Sequence, residues 1–508
     1  MNKGLFWFLF ILILVFALGL RLIPPQNHNF FFTIDQADDG VWAREIFERG
    51  QIVWRGAQTN IPGVYAGPLW YYFISIGFLL FKGDPFGGLF MVISLNVSLV
   101  GFLMWILKKE VGAVKALSVG FLLQFFWWFY DTSRWAFNPF PLVSCATTAV
   151  LLLSIFLKTK KKKYLYFASI PVFLGFNAEV AGATAIFFSY LAFGAWAFWK
   201  KKVDFKTSLV VFGLPTSAAA VLFFQLAKRY LGNQVSVLPG ASTGYFSGVN
   251  YSYLSGRFAE LFSYAVFPYH VLLSLLVFGL VFYLFWRTKA PSVFVKNFVL
   301  LTLGLFTVSF LMFGATKGWY DWQTVYLPPL LFISFVLLLL SIPKRYGLTV
   351  LAVVMVLQIV VFKERYTQYL APQKGSGVLS TQMKVLDWIY THAENDGFNA
   401  FTYLPSRRDY PYQYDFWWYG RRRYGFVPCQ YSIHPDGLKL YVPHKDSYSA
   451  PTLGCDRLRF LIIEPEHGKD EIFDEWLVEV TEGTVFLETT DIDGVVIEKR
   501  RLKRKEEL

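Results

Sequence analysis

Residues 67–81 read GPLWYYFISIGFLLF, and whether this run crosses a membrane decides how every later segment is oriented. It is apolar and aromatic, but at about fifteen residues with Pro68 near its start it has the length of an interfacial or re-entrant helix, not that of a span. Longer apolar runs lie at about 5–23, 86–107, 112–130, 139–157, 164–178, 180–199, 207–227, 264–286, 296–316, 321–341 and 346–362. If the N-terminus is inside and 67–81 does not cross, five basic clusters fall in the cytoplasm: Lys108/Lys109, Lys158 with Lys160 to Lys163, Lys200 to Lys202, Arg287/Lys289 and Lys344/Arg345. If 67–81 crosses, all of them lie outside, against the bias of Lys and Arg toward cytoplasmic loops. The pattern predicts an α-helical polytopic membrane protein of about eleven transmembrane helices, with 67–81 as a helix on the outer surface.

Composition agrees. Of 508 residues, 55% are hydrophobic, 20% aromatic and 16% charged, where a soluble domain has about 25% charged. The net charge of +13 sits mostly in short clusters between apolar runs, so it reads as topology and not as a nucleic-acid surface. Leu5 to Ile23 has no small-residue cleavage site behind it and reads as an uncleaved first helix. The cysteines show no metal-ligand spacing; Cys145 lies in an apolar run, whereas Cys429 and Cys455 are placed to pair if the C-terminal part is extracytoplasmic.

After Phe362 polar and apolar residues mix. Strand-like runs at Arg459 to Ile463 and Gly494 to Ile497 alternate with helical stretches at Ser380 to His392 and Glu471 to Val478. Residues 363–508 are long enough to bury a core and predict a small α/β ectodomain behind a membrane domain of residues 1–362. Two roles fit Tyr412, Tyr414, Trp417, Trp418 and Tyr419 beside Arg421 to Arg423: stacking on sugars or lipid headgroups, or an aromatic belt at the membrane.

The same topology sends loops 24–85, 131–138, 228–263 and 317–320 outside. With them go Asp131, Arg134, Glu179, Lys228/Arg229, Arg257, Glu260, Lys317 and Asp321, a convergence of ionisable residues on one membrane face. The first outer loop carries Thr33-Ile34-Asp35-Gln36-Ala37-Asp38-Asp39. Thr33 and Gln36 match a capping box, which starts a helix at Ile34 and puts Asp35 in its first turn, where the helix dipole favours the ionised form. Asp35, Asp38 and Asp39 would share one face and repel, so a cation or cationic group is expected there; an ordinary solvated helix start is the plain alternative.

In order along the chain, this acidic loop, Asn60-Ile61-Pro62-Gly63-Val64-Tyr65-Ala66-Gly67-Pro68-Leu69-Trp70-Tyr71-Tyr72, Ser133-Arg134-Trp135-Ala136-Phe137-Asn138-Pro139 and Lys317-Gly318-Trp319-Tyr320 resemble the GT-C superfamily of polyprenyl-phosphate-dependent glycosyltransferases. The bacterial branch related to protein O-mannosyltransferases and the lipid A aminoarabinose transferase looks most alike. The resemblance covers roughly residues 1–362. It implies a hexosyltransferase of the cell envelope that takes a sugar from undecaprenyl or dolichyl phosphate and transfers it, on the outer membrane face, to a hydroxyl of a protein, lipid or glycan acceptor. By carry-over Asp35 takes the place of the catalytic acid and would act as general base with inversion. Asp38 or Asp39 would be the second acid, although Gln36 stands where the family often has one. Arg134, Arg229, Arg257 and Lys317 are candidates for the donor phosphate, and Tyr65, Asn138, Glu179, Trp319 and Tyr320 for the substrate site. A divalent ion (Mg or Mn) on Asp35 and Asp39 is a second way to neutralise the phosphate; arginine and metal both fit. Competing classes are a lipid-linked glycan transporter or flippase, which tends to show an internal repeat absent here, a polysaccharide polymerase, and a receptor or scaffold.

Overall fold

The computed structural model describes residues 1–59, 63–231, 251–288, 292–314, 320–393, 397–403, 409–431, 455, 457–465 and 471–503, with backbone alone at 229–231, 251–253 and 471–472. The helices, in order, are α1 (Lys3–Leu22), α2 (Ile34–Arg49), α3 (Leu69–Leu80), α4 (Phe86–Val111), α5 (Ala113–Leu122), α6 (Trp127–Asp131), α7 (Pro141–Thr159), α8 (Lys163–Gly175), α9 (Val180–Trp199) and α10 (Phe205–Leu231). They continue as α11 (Tyr251–Ala265), α12 (Val271–Trp286), α13 (Val293–Gly314), α14 (Leu327–Leu339), α15 (Lys344–Leu370), α16 (Leu379–His392), α17 (Tyr410–Asp415), α18 (Arg421–Tyr424) and α19 (Glu471–Thr481).

Among the described residues, 8 helical segments are long and apolar enough to cross a membrane. Every apolar run of the sequence holds a helix, but three runs hold short ones. The 112–130 run breaks at Leu123–Phe125 into a 3-10 turn, α8 has 13 residues with Pro171 inside it, and α12 has 16. The chain is a multi-span helical membrane protein. α3 has only 12 residues, about 18 Å of helix against a hydrocarbon core of about 30 Å.

Contacts group the chain into two compact units: Met1–Arg21, Val53–Trp70 and Val92–Gln368 form one, and Leu22–Ile52, Tyr71–Met91 and Tyr369–Leu508 the other. In the first, α14 is buried along its whole length while α10 exposes much of its apolar surface, as expected of a central and a peripheral helix.

The second unit joins the acidic loop, expected with the membrane part, to the C-terminal residues. The reason is backbone pairing: the Phe32 N–H donates to the Gly377 carbonyl at 2.8 Å and the Leu379 N–H to Phe30 at 3.0 Å. The Gln382 side chain then donates to the Phe32 carbonyl at 3.1 Å. Here too α3 turns back through Lys82 and Gly83, both left-handed at φ 55 and 85. It runs against the start of α4 so closely that a Cβ on Gly77 would lie 2.1 Å from the Gly87 carbonyl oxygen. Only glycine permits backbones to meet in this way.

Four strands, β1 (Phe398–Tyr403), β2 (Leu458–Ile463), β3 (Thr484–Ile492) and β4 (Val495–Leu502), form a sheet in the order β1-β2-β4-β3. β1 pairs parallel with β2, and the other pairs are antiparallel. Trp476 and Val480 of α19 bury against Phe401, Tyr403 and Leu461. Cys429 and Cys455 form a disulfide with Cα atoms 5.9 Å apart. The aromatic run is neither belt nor exposed stacking platform: from Tyr412 to Tyr419 it folds into α17 and a π-helix (Phe416–Gly420), and every ring is buried. Tyr414 packs edge-on to Phe32 and Phe78, and its hydroxyl donates to the Gly83 carbonyl at 2.8 Å.

Alanine normally improves a helix interior by about 1 kcal/mol over glycine. At Gly77 the added methyl has no room, so Gly77→Ala is expected to destabilise by about 1–3 kcal/mol, whereas Gly213→Ala in α10, with nothing within 4 Å, is expected to be neutral or stabilising. Thermal unfolding of the two variants in detergent checks the opposite signs.

Candidate active site

α2 begins where the capping pattern places it. Thr33 is extended, and the Gln36 Oε1 accepts from the Thr33 N–H at 2.9 Å and from its hydroxyl at 2.6 Å. With the first turn fixed, the three acids separate by environment: Asp35 is exposed, Asp38 half-buried, and Asp39 only 3% exposed. Asp38 and Asp39 act on the buried Tyr71 of α3, which stacks on Trp42. Burial holds the Tyr71 phenol well above its ordinary value, and the two carboxylates and Tyr410 raise it further. Tyr71 thus stays a neutral hydroxyl beside the acidic face. Among the described residues no group of three or more His, Cys, Asp or Glu side chains gathers to hold a metal. Asp35 and Asp39, one exposed and the other buried, do not supply a donor set for a divalent ion, and no chemistry is assigned to one here.

In the membrane-spanning unit, several loops converge. Arg134 is half-buried, with Asp131 3.5 Å away and the Trp135 ring 5.6 Å from its guanidinium carbon. Asn138 donates to the Ala178 carbonyl at 3.2 Å, which ties this loop to the turn before α9. Helix α7 starts at Pro141, not at Pro139, which instead precedes it in a turn. Phe137 meets Trp322 edge-on, and Trp322 stacks on Tyr320 at 4.4 Å. Arg257 reaches Asp321 at 3.0 Å and Glu260 at 3.3 Å, so its guanidinium is engaged with carboxylates and not set apart for a phosphate. The Tyr65 N–H donates to Gln225, and the Arg55 guanidinium lies 5.2 Å from the Tyr65 ring. Lys317 and Trp319 lie outside the described residues, as does the Arg229 side chain.

Glu179 has a local task. It is the N-cap of α9, and its carboxylate accepts from the Ala181 N–H at 2.8 Å and the Gly182 N–H at 2.5 Å. Gly182 lies so near the Asp321–Thr324 turn that a Cβ there would sit 2.5 Å from the Gln323 carbonyl oxygen. Burial pushes the Glu179 carboxyl up to about 7, against the two N–H bonds that lower it.

Sequence reasoning missed Trp322, which joins two of the converging loops, and the buried Arg21 at the end of α1. Arg21 donates to Gln124 at 2.8 Å and to the Ala17 carbonyl at 3.0 Å, and lies 5.3 Å from the Phe129 ring. The signal for Arg21 was present: a lone cation inside an otherwise apolar first helix.

No family model matches the sequence, and no curated protein matches it. Solved structures do match. ArnT from Cupriavidus metallidurans, bound to undecaprenyl phosphate and in the apo state, gives a TM-score of 0.60 at 11% identity, over 98% of this chain and 98% of ArnT. The oligosaccharyltransferase of Archaeoglobus fulgidus in complex with Zn and sulfate gives 0.50 at 13% identity, over 96% of this chain and 72% of that one. At these identities the likeness is one of fold.

The raised Glu179 value sets a sign for pH dependence. The folded chain holds a proton that the unfolded chain has already released, so stability falls as pH rises from the ordinary 4.5 toward about 7. Glu179→Gln keeps an acceptor for the cap and removes the titration. Its melting temperature is expected to be flatter than wild type across this range and higher than wild type above it, as measured by thermal unfolding at a series of pH values.

Proposed function

We propose that the chain is a membrane glycosyltransferase that moves a sugar from a polyprenyl-phosphate carrier to an acceptor hydroxyl, with inversion. The observation that carries this reading is the inequality within the acidic helix. Asp35 is the exposed carboxylate on a capped, rigid first turn, while Asp39 is withdrawn into the protein. A fold shared with ArnT, whose structure was determined with undecaprenyl phosphate bound, supports the same substrate class.

In the proposed step the Asp35 carboxylate takes the proton of the acceptor hydroxyl as its oxygen attacks the anomeric carbon. The new glycosidic bond forms on the face opposite the leaving group. The bond from the anomeric carbon to the phosphate oxygen breaks, and the polyprenyl phosphate departs with the electron pair. Within the first unit Arg134 and Arg257 are the described candidates for a phosphate cation, since a guanidinium offers paired donors to phosphate oxygens; both already face carboxylates, Arg134 that of Asp131 and Arg257 those of Asp321 and Glu260. Asp38 and Asp39 help to keep Tyr71 neutral and are assigned no proton transfer.

The reaction is placed on the outer face, with the N-terminus and the lysine-rich loops in the cytoplasm. The Cys429–Cys455 disulfide supports this orientation, since structural disulfides belong to oxidising compartments.

Asp35→Asn preserves the side chain's size and its place in the helix while removing the base. It is expected to lower transfer by about 100-fold or more with protein level and melting temperature unchanged. Mass spectrometry of envelope glycans, glycolipids and glycoproteins from cells carrying either form should show one hexose-sized increment lost in the variant. An unchanged glycan profile would overturn the assignment.

A further inference from the structure

At the opposite end of α2 from Asp35, about 20 Å along the helix axis, the second unit contains a cavity of about 590 Å³. Three cations line it, Lys82, Arg421 and Arg422, together with Glu48, Trp417 and Trp418. Glu48 accepts from Arg421 at 3.1 Å, so one carboxylate stands against three positive side chains. All three cations are exposed. Trp417 and Trp418 form its apolar wall and are themselves buried. The three cations form a set of donors suited to an anionic oxygen group.

The surroundings indicate where that anion comes from. Lys82 lies two residues past the end of α3, a helix of 12 residues that exposes Ile76 by 51%, Leu79 by 59% and Leu80 by 64%. Apolar side chains this exposed on a helix of a membrane protein mark contact with lipid tails. A lipid surface against this face of α3 would put the Lys82 ammonium at headgroup level. Lys82 itself occupies a left-handed backbone position that costs a residue with a Cβ about 1 kcal/mol. We propose that this cavity binds the phosphate of an anionic glycerophospholipid, with Lys82 and Arg422 on the phosphate oxygens and Arg421 shared between the phosphate and Glu48. The site is distinct from the acidic face of α2. It would anchor the C-terminal unit to the membrane independently of sugar transfer.

The test uses the full chain, purified and delipidated in detergent, with phosphatidylglycerol or phosphatidylcholine added and bound lipid counted by native mass spectrometry. Phosphatidylglycerol is expected to be retained preferentially. Lys82→Gln combined with Arg422→Gln should weaken its retention about tenfold or more. Lys200→Gln with Lys201→Gln, another exposed basic pair, serves as the comparison. Equal retention of the two lipids, full retention in the Lys82/Arg422 variant, or the same loss in the comparison pair would each overturn the proposal. Displacement of phosphatidylglycerol by soluble glycerol phosphate at equal concentration would show a free-anion site and overturn the lipid as occupant. Melting temperatures of the variants confirm that each is folded.

Discussion

The contact between Gly77 and Gly87 is the constraint on which the second unit rests. A helix of 12 residues is too short to reach across the hydrocarbon core, and the chain turns back at its end so that α3 packs its apolar face on a partner. It finds the beginning of α4, at a distance set by two hydrogen atoms where any other residues would place carbon. From that crossing the rest follows. Phe78 is set against Tyr414, the Gly83 carbonyl is presented to the Tyr414 hydroxyl, and Tyr71 is brought beside Asp38 and Asp39.

Much of this was legible because it is written locally. The start of α2 at Ile34 depends on Thr33 and Gln36, three residues apart, and a capping box needs nothing from the rest of the chain. The length of α3 is likewise a property of one segment, as are β2, β4, α16 and α19, whose periodicity is clear. What was not legible depends on distant partners. Aromatic residues from Tyr412 to Tyr419 have the same composition whether they face headgroups or form a core; only the arrival of Phe32, Phe78 and Gly83, several hundred positions earlier, makes them core. β1 reads as an apolar run that becomes a strand through parallel pairing with β2. The pairing of Arg257 with Asp321 is likewise hidden, since its partner lies 64 residues further on.

The candidate site divides in the same way. Asp35 is singled out by sequence position and then by exposure, two independent reasons. Glu179 was singled out by charge alone, and its observed bonds give it a structural task at the start of α9. A carboxylate followed two and three residues later by unpaired helix N–H groups is a capping pattern, and reading it as such would have separated Glu179 from the substrate-site candidates.

The pairing of Phe30 and Phe32 with Gly377 and Leu379 also orders events in time. The ribosome makes the acidic loop early, yet its anchoring strand emerges nearly the whole membrane domain later. At about 5–20 residues per second that is a delay of roughly 17–70 s. During that interval α2 can pack on α3, through Trp42 and Tyr71, but lacks its C-terminal partners. A nascent chain stalled before residue 377 would lack the hydrogen bonds of Phe32 to Gly377 and of Leu379 to Phe30, and the acidic loop would have no anchor in the C-terminal residues.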